Sequence, residues 1–329
     1  MSIVTKSAPI GRVQASLRMP LRVAILNNMP DSALIRTEEE FTSLLHAAVS
    51  DRPLEIRMYA LPSVLRGEAG RTHIAANYLT MEALYRQPPD ALIVTGTEPL
   101  AADLRLERYW TELSALIEWA DSCAIPAMFS CLAAHAAVLH LDGIARTPLA
   151  SKCFGVFRHD VETSHKLMAG VAHSVALPHT RWNGLETAAL EYAGYDILCH
   201  SDTSGIGMFA RTRGATWLFC QAHPEYAHAN LLREYRRDVR RFLRRDRATY
   251  PELPQGYFSE GETQLLIAFR HRAIAQMDPR ALEAFPLVHG VTPSRQGWRN
   301  VAAQVFANWL NQSVVTPSVV GIDAAIRTH

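Results

Sequence analysis

The chain has 329 residues, 48% of them hydrophobic and 20% charged, with a formal net charge of +1. Such a length and apolar fraction can bury a sizeable core, and a near-zero net charge argues against a dedicated nucleic-acid or membrane-surface protein. The five cysteines (Cys123, Cys131, Cys153, Cys199, Cys220) are odd in number and form no CxxC pair, so neither a disulfide framework nor a zinc knuckle is indicated, and a reducing cytoplasm fits best.

Residues 1–19 carry basic residues but no apolar run of signal-peptide length, and read as an N-terminal arm; no stretch approaches a membrane span. LRVAIL at 21–26 is a first buried strand, closed by the turn Asn27-Asn28-Met29-Pro30-Asp31. Thr37 with Glu40 three residues on fits a capping box, and Phe41, Leu44, Leu45 and Val49 supply one helical face. Residues 54–61 alternate as a strand, 67–72 read as a loop, and 78–87 have helical spacing. ALIVTG at 91–96 is a buried strand that breaks at Gly96, with Thr97-Glu98-Pro99 turning after it. The amphipathic segment 109–120 returns the chain to a strand at 127–130. This alternation implies a mostly parallel sheet covered on both faces, with ligands at the carboxyl ends of the strands. No GxGxxG or Walker-type loop occurs.

Cys131 sits where the 127–130 strand becomes an Ala- and Leu-rich helix that runs to Gly143. A free cysteine is by default a buried apolar residue. On a sharp strand-to-helix turn, however, the thiol is pushed out of the sheet beside free backbone N–H groups and the positive helix end, which favour thiolate and can hold an oxyanion. After Gly143 the chain turns to short strands, at 154–159, 196–201, 207–211 and 216–221, with 212–215 as a hairpin. The last of these runs into Ala222-His223-Pro224-Glu225-Tyr226. His223 and Glu225 are two apart, so on an extended segment they point the same way, as a base and its orienting carboxylate do. His135 and His140 lie five apart, off one another's helical face, and no metal-ligand set is apparent. The basic run 233–247 (REYRRDVRRFLRRDR) reads as a solvated helix face that could attract phosphates, and 264–277 and 301–310 are amphipathic helices.

A cysteine elbow followed by HPE resembles the class I glutamine amidotransferase fold, and within it the chain resembles the homoserine O-acyltransferases of methionine biosynthesis. The matching pieces run in order over 21–314: NMP at 28–30, TEEEF at 37–41, the strand ending TG at Gly96, Tyr109-Trp110, the Cys131 elbow, K-x-FGVF at 152–157, PHTR at 178–181, HPEY at 223–226, EYRRD at 234–238 and FANWLN at 306–311. The resemblance implies an α/β, flavodoxin-like catalytic domain over 20–248, a helical extension over 249–329 packing on that domain or on a partner subunit, and a homodimer. It also implies ping-pong acyl transfer, with acetyl-CoA or succinyl-CoA as co-substrate and no permanently bound cofactor. Cys131 would carry the acyl group, and His223, held by Glu225, would activate the hydroxyl of homoserine, serine or a related hydroxy amino acid.

By the same resemblance, Glu234 and Arg237, 11 and 14 residues after His223, take the acceptor's ammonium and carboxylate, and Lys152, Thr180 and Arg181 fall on further substrate-binding positions. Leu132 and the turn Thr97, Glu98, Leu100 form the oxyanion and acyl-specificity region. Here the sequence departs from the family: TEPL replaces the usual APxG or APxE turn, Leu132 replaces a usual Trp, and the wording after residue 290 differs. The acyl donor therefore stays open between acetyl and succinyl. Two other readings use the same residues, a glutaminase or amidase and a non-catalytic binding module. The first is opposed by the lack of glycines flanking Cys131, the second by an intact Cys131, His223 and Glu225.

Overall fold

The computed structural model describes residues 19–290 and 297–314. The expected arm thus lies almost wholly outside the described residues, as do Pro293 to Gln296 of the divergent C-terminal motif. In chain order the first half comprises β1 (Leu21–Leu26), α1 (Leu34–Ala48), β2 (Leu54–Tyr59), α2 (Glu68–Asn77), α3 (Met81–Arg86), β3 (Ala91–Val94), α4 (Trp110–Ser122), β4 (Ala127–Ser130) and α5 (Leu132–Asp142). The second half adds β5 (Thr147–Val161), β6 (Ser174–Gly184), α6 (Thr187–Tyr192), β7 (Asp196–Ser201), β8 (Gly205–Arg213), β9 (Ala215–Cys220), α7 (Asn230–Leu243), α8 (Glu260–Gln276) and α9 (Trp298–Val314). Among the described residues no helix is long and apolar enough to cross a membrane.

All nine strands form one sheet in the order β2-β1-β3-β4-β9-β8-β7-β5-β6. The first five are parallel and the last four are added antiparallel, so the sheet is mixed. β3, β4 and β9 are buried at every residue, as strands covered on both faces must be. Alternate side chains divide between two cores. Leu92, Val94 and Phe129 pack with Leu116, Ile117 and Val138 under α4 and α5; Ile93 and Met128 pack on the other face with Phe41 and Leu44 of α1 and Phe306 and Trp309 of α9. A third cluster joins Leu231, Tyr235 and Val239 of α7 to Leu266 and Phe269 of α8. α8 and α9 therefore share cores with elements that precede residue 249. Chain reversal between β1 and β3 puts a crevice at the carboxyl edge of the sheet, where the β1, β3 and β4 loops meet.

Several local expectations fail for non-local reasons. Thr37 and Glu40 make no capping box: α1 starts earlier, with Ala33 at its N-cap and no side-chain cap, and both residues lie buried inside the helix. Residues 67–72 enter α2 rather than a loop, and the Asp31 carboxylate, from a distant turn, accepts the Gly67 N–H at 2.9 Å. β5 is much longer than 154–159, and its partner β6, which carries the PHTR motif, was not foreseen as a strand. The hairpin at 212–215 forms as expected, tightened around Gly214 at φ +71°.

Candidate active site

Cys131 is the single residue between β4 and α5, and it is a non-glycine at φ +50°, ψ −109°. Holding an L-residue there costs about 1–3 kcal/mol, which the surroundings must offset. They do so by bonding its backbone at both ends. Its N–H donates to the Cys220 carbonyl of β9 at 2.7 Å, and its own carbonyl accepts from Ala134 N at 3.0 Å to open the helix. The turn thrusts the side chain out of the sheet, half-exposed, into a cleft of ≈ 730 Å³. Gly96 comes so close to the elbow that a Cβ on it would stand 2.9 Å from Leu132 Cβ and 3.1 Å from Leu132 N. A glycine here leaves the first amide of α5 accessible to a developing oxyanion.

His223 follows β9 and is pinned to β6, at the far edge of the sheet, by a 2.8 Å bond from its N–H to the Pro178 carbonyl. Its Nδ1 lies 2.8 Å from Glu225 Oε1, with both side chains buried. The other ring nitrogen takes no part in that pair, and the imidazole lies within electrostatic reach of the Cys131 sulfur. Burial opposes protonation of the imidazole, but the Glu225 carboxylate and the Cys131 sulfur together outweigh it and push His223 well above its ordinary value. The structure thus brings the three sequence-predicted catalytic side chains together. Tyr226 stacks on the His223 ring at 4.4 Å. The turn itself is clamped from α9, where Arg299 Nη1 donates to the Glu225 carbonyl at 2.5 Å and Trp298 Nε1 to the Tyr226 carbonyl at 2.7 Å.

A second carboxyl group stands beside the triad. Glu40 of α1 is only 7% exposed, lines the cleft, and accepts from Asn230 Nδ2 at 2.6 Å. Burial raises its pKa to about 7, with the Glu225 charge adding to the rise and the Asn230 bond opposing it.

The α7 end of the cleft is a polar bench. Glu234 accepts from Thr180 Oγ1 at 2.7 Å and from Tyr226 Oη at 2.8 Å. Arg237 binds Asp238 through Nε at 3.0 Å and approaches Glu234 at 3.8 Å. Lys152 stands behind this bench, 3.4 Å from Asp238 and 3.7 Å from Glu234, over the Phe154 ring, and does not line the cleft. Arg181 does line it, yet all three of its guanidinium nitrogens donate to protein acceptors: His179 Nδ1, the Asn183 carbonyl and the Ser204 carbonyl. Its place is that of a fixed charge, within electrostatic reach of Cys131. Among the four residues of the acyl-specificity region, Thr97, Glu98 and Leu132 line the cleft. Leu100 does not. Its side chain is 83% exposed, because Glu107 takes its N–H at 2.5 Å and turns the loop outward.

The family model for homoserine O-succinyltransferases matches residues 11–318. The chain belongs to that family. A homoserine O-succinyltransferase from Methylorubrum extorquens is 44% identical over 290 residues, covering 88% of this chain and 86% of its own. One from Rhodopseudomonas palustris is 40% identical, covering 88% and 87%. Among solved structures, a glutamine amido transferase from Methylobacillus flagellatus superposes with a TM-score of 0.50 at 13% identity, over 94% of this chain and 98% of that one, a likeness of fold alone. The fold is therefore class I glutamine amidotransferase-like, and membership of the homoserine O-succinyltransferase family makes the chain an acyltransferase, with an acyl-CoA as co-substrate. Among the described residues no group of three His, Cys, Asp or Glu could hold a metal ion. Sequence reasoning gave no task at the site to Glu40, Asn230, Arg299 or Tyr226. Glu40 and Tyr226 carried a local signal, as members of the TEEEF and HPEY motifs.

Proposed function

We propose that this protein transfers a succinyl group from succinyl-CoA to the side-chain hydroxyl of L-homoserine through a thioester on Cys131. The observation that carries the reading is the 2.8 Å His223–Glu225 pair sharing one cleft with a thiol held on a strained elbow, in a chain 44% identical to a homoserine O-succinyltransferase. His223 takes the Cys131 proton, and the thiolate attacks the thioester carbon. The tetrahedral oxyanion rests on the Leu132 N–H and on the positive end of α5. Collapse breaks the bond to CoA sulfur, which leaves as thiol with the proton from His223.

In the second half-reaction His223 removes the homoserine hydroxyl proton as the oxygen attacks the acyl-cysteine, and returns it to Cys131 as that bond breaks. Glu225 fixes the tautomer and stabilises the imidazolium. Glu234 is the partner for the acceptor's ammonium and Arg237 for its carboxylate; Thr180, Tyr226 and Lys152 hold Glu234 in place. A glutaminase reading is disfavoured because the elbow lacks the glycines of a GxCxG turn, Phe129 and Ala133 standing in their places.

The test is mass spectrometry of the protein mixed with succinyl-CoA or acetyl-CoA. A succinyl adduct on Cys131, absent in Cys131→Ala and discharged by homoserine, is expected. Glutamine hydrolysis with no acyl adduct would overturn the reading.

A further inference from the structure

A succinyl group differs from an acetyl group by a carboxylate two methylenes beyond the carbonyl carbon. Removing that charge from water is costly unless a cation receives it. The residues expected to govern acyl choice do not offer one: Leu100 is turned to solvent, Leu132 is apolar, and Glu98 is an acid whose nearest cation is Arg241 at 3.8 Å.

Arg146, which connects α5 to β5, meets the requirement. It lines the cleft beside Cys131 and Leu132 and lies within electrostatic reach of the nucleophile. Its Nη2 donates to the Ala101 and Ala102 carbonyls at 3.0 and 3.1 Å, which fixes the plane of the guanidinium against the loop after β3. Its Nε is buried and, among the described residues, has no hydrogen-bond partner. The hydroxyl of Tyr109, with which Arg146 interacts electrostatically, is buried and unpartnered as well. An orphaned donor costs about 1–3 kcal/mol, a cost that an acceptor arriving with the substrate removes at Arg146, the one of the two that lines the cleft. The two acids within electrostatic reach are already engaged, Glu107 by the Leu100 and Ala101 N–H groups and Asp103 by Arg105. The planar fork of a guanidinium also matches a carboxylate better than an ammonium does.

We infer that Arg146 is the acyl-specificity residue of this enzyme, receiving the distal carboxylate of a dicarboxylic acyl group carried on Cys131. The inference rests on the acyl-cysteine reading above and extends it. Arg146 acts by binding substrate and takes no proton.

The experiment measures kcat/KM for succinyl-CoA and for acetyl-CoA in the wild type, Arg146→Gln and Arg146→Lys. Glutamine retains an amide donor for the loop carbonyls but no charge. The wild type is expected to prefer succinyl-CoA, and Arg146→Gln to lower the succinyl-to-acetyl ratio by about 10- to 100-fold. Arg146→Lys, which keeps the charge and loses the fork, should fall between. If the glutamine variant does not fold, the lysine variant decides, with a drop of about threefold or more expected.

An equal loss with both donors would make Arg146 merely a brace for the 101–102 loop and overturn the inference. So would an unchanged ratio, or a wild type that prefers acetyl-CoA. Failure of the wild type to form any acyl-Cys131 would overturn the acyl-cysteine reading as well, and is seen before any variant is made.

Discussion

Replacing Glu40 with glutamine should stabilise the protein at alkaline pH and leave it unaltered in acid. In the folded chain the carboxyl group titrates at about 7 instead of 4.5, since burial and the Glu225 charge disfavour ionisation more than Asn230 favours it. The folded state therefore binds this proton more tightly than the unfolded state. The associated stability is fully present below about pH 4.5 and is lost as pH rises through about 7. A shift of this size corresponds to about 3 kcal/mol at 1.36 kcal/mol per pKa unit. Glutamine is neutral at every pH, matches glutamate in helix propensity, and keeps an oxygen for Asn230. Urea denaturation at a series of pH values should give superimposable midpoints for Glu40→Gln and wild type at pH 4.5, diverging to a gain of about 3 kcal/mol for the variant by pH 8. A gain of the same size at both ends, or none at pH 8, would refute the assignment of a protonated carboxyl group to this site.

Gly96→Ala places a methyl group against Leu132 N, so kcat should fall by about 10²- to 10³-fold in a protein that still folds; a loss within about threefold would remove the Leu132 amide from the oxyanion site. Tyr226→Phe deletes the 2.8 Å bond to Glu234, and because bonds to charged acceptors contribute about 1.5–3 kcal/mol, KM for homoserine should rise by about tenfold or more, while acylation of Cys131, followed by mass spectrometry, falls less. Arg299→Met frees the Glu225 carbonyl and should lower kcat by about tenfold, read together with a shifted pH–rate profile; an unaltered profile would reduce Arg299 to a packing residue.

Cys131, His223 and Glu225 were legible because their geometry is local. One residue at a strand-to-helix junction and two residues two apart on an extended segment announce where their side chains point. Glu40 was not legible, since the pattern that resembles a cap in sequence is put to use by Asn230, 190 positions away. α2 escaped notice because its first turn leans on Asp31 from another loop, and β6 because a strand carrying Pro178 and His179 reads as a turn until β5 is laid beside it. Leu100 was placed at the acyl pocket by its rank in the turn, and the Glu107 carboxylate, which turns it away, is invisible to any count along that turn. The basic run on α7 concealed an apolar stripe, Leu231, Tyr235, Val239 and Phe242, which docks the helix and leaves Arg237 at the cleft.

Trp298 and Arg299 hold the backbone of Tyr226 and Glu225, and these two anchors are translated more than seventy residues after the acid they fix. A polypeptide still emerging from the ribosome thus possesses its sulfur, its imidazole and its acid before it possesses the brace that aligns them. On the acyl-cysteine reading proposed above, the final alignment of the acid and imidazole awaits the docking of α9, a step that only the nearly finished polypeptide can take.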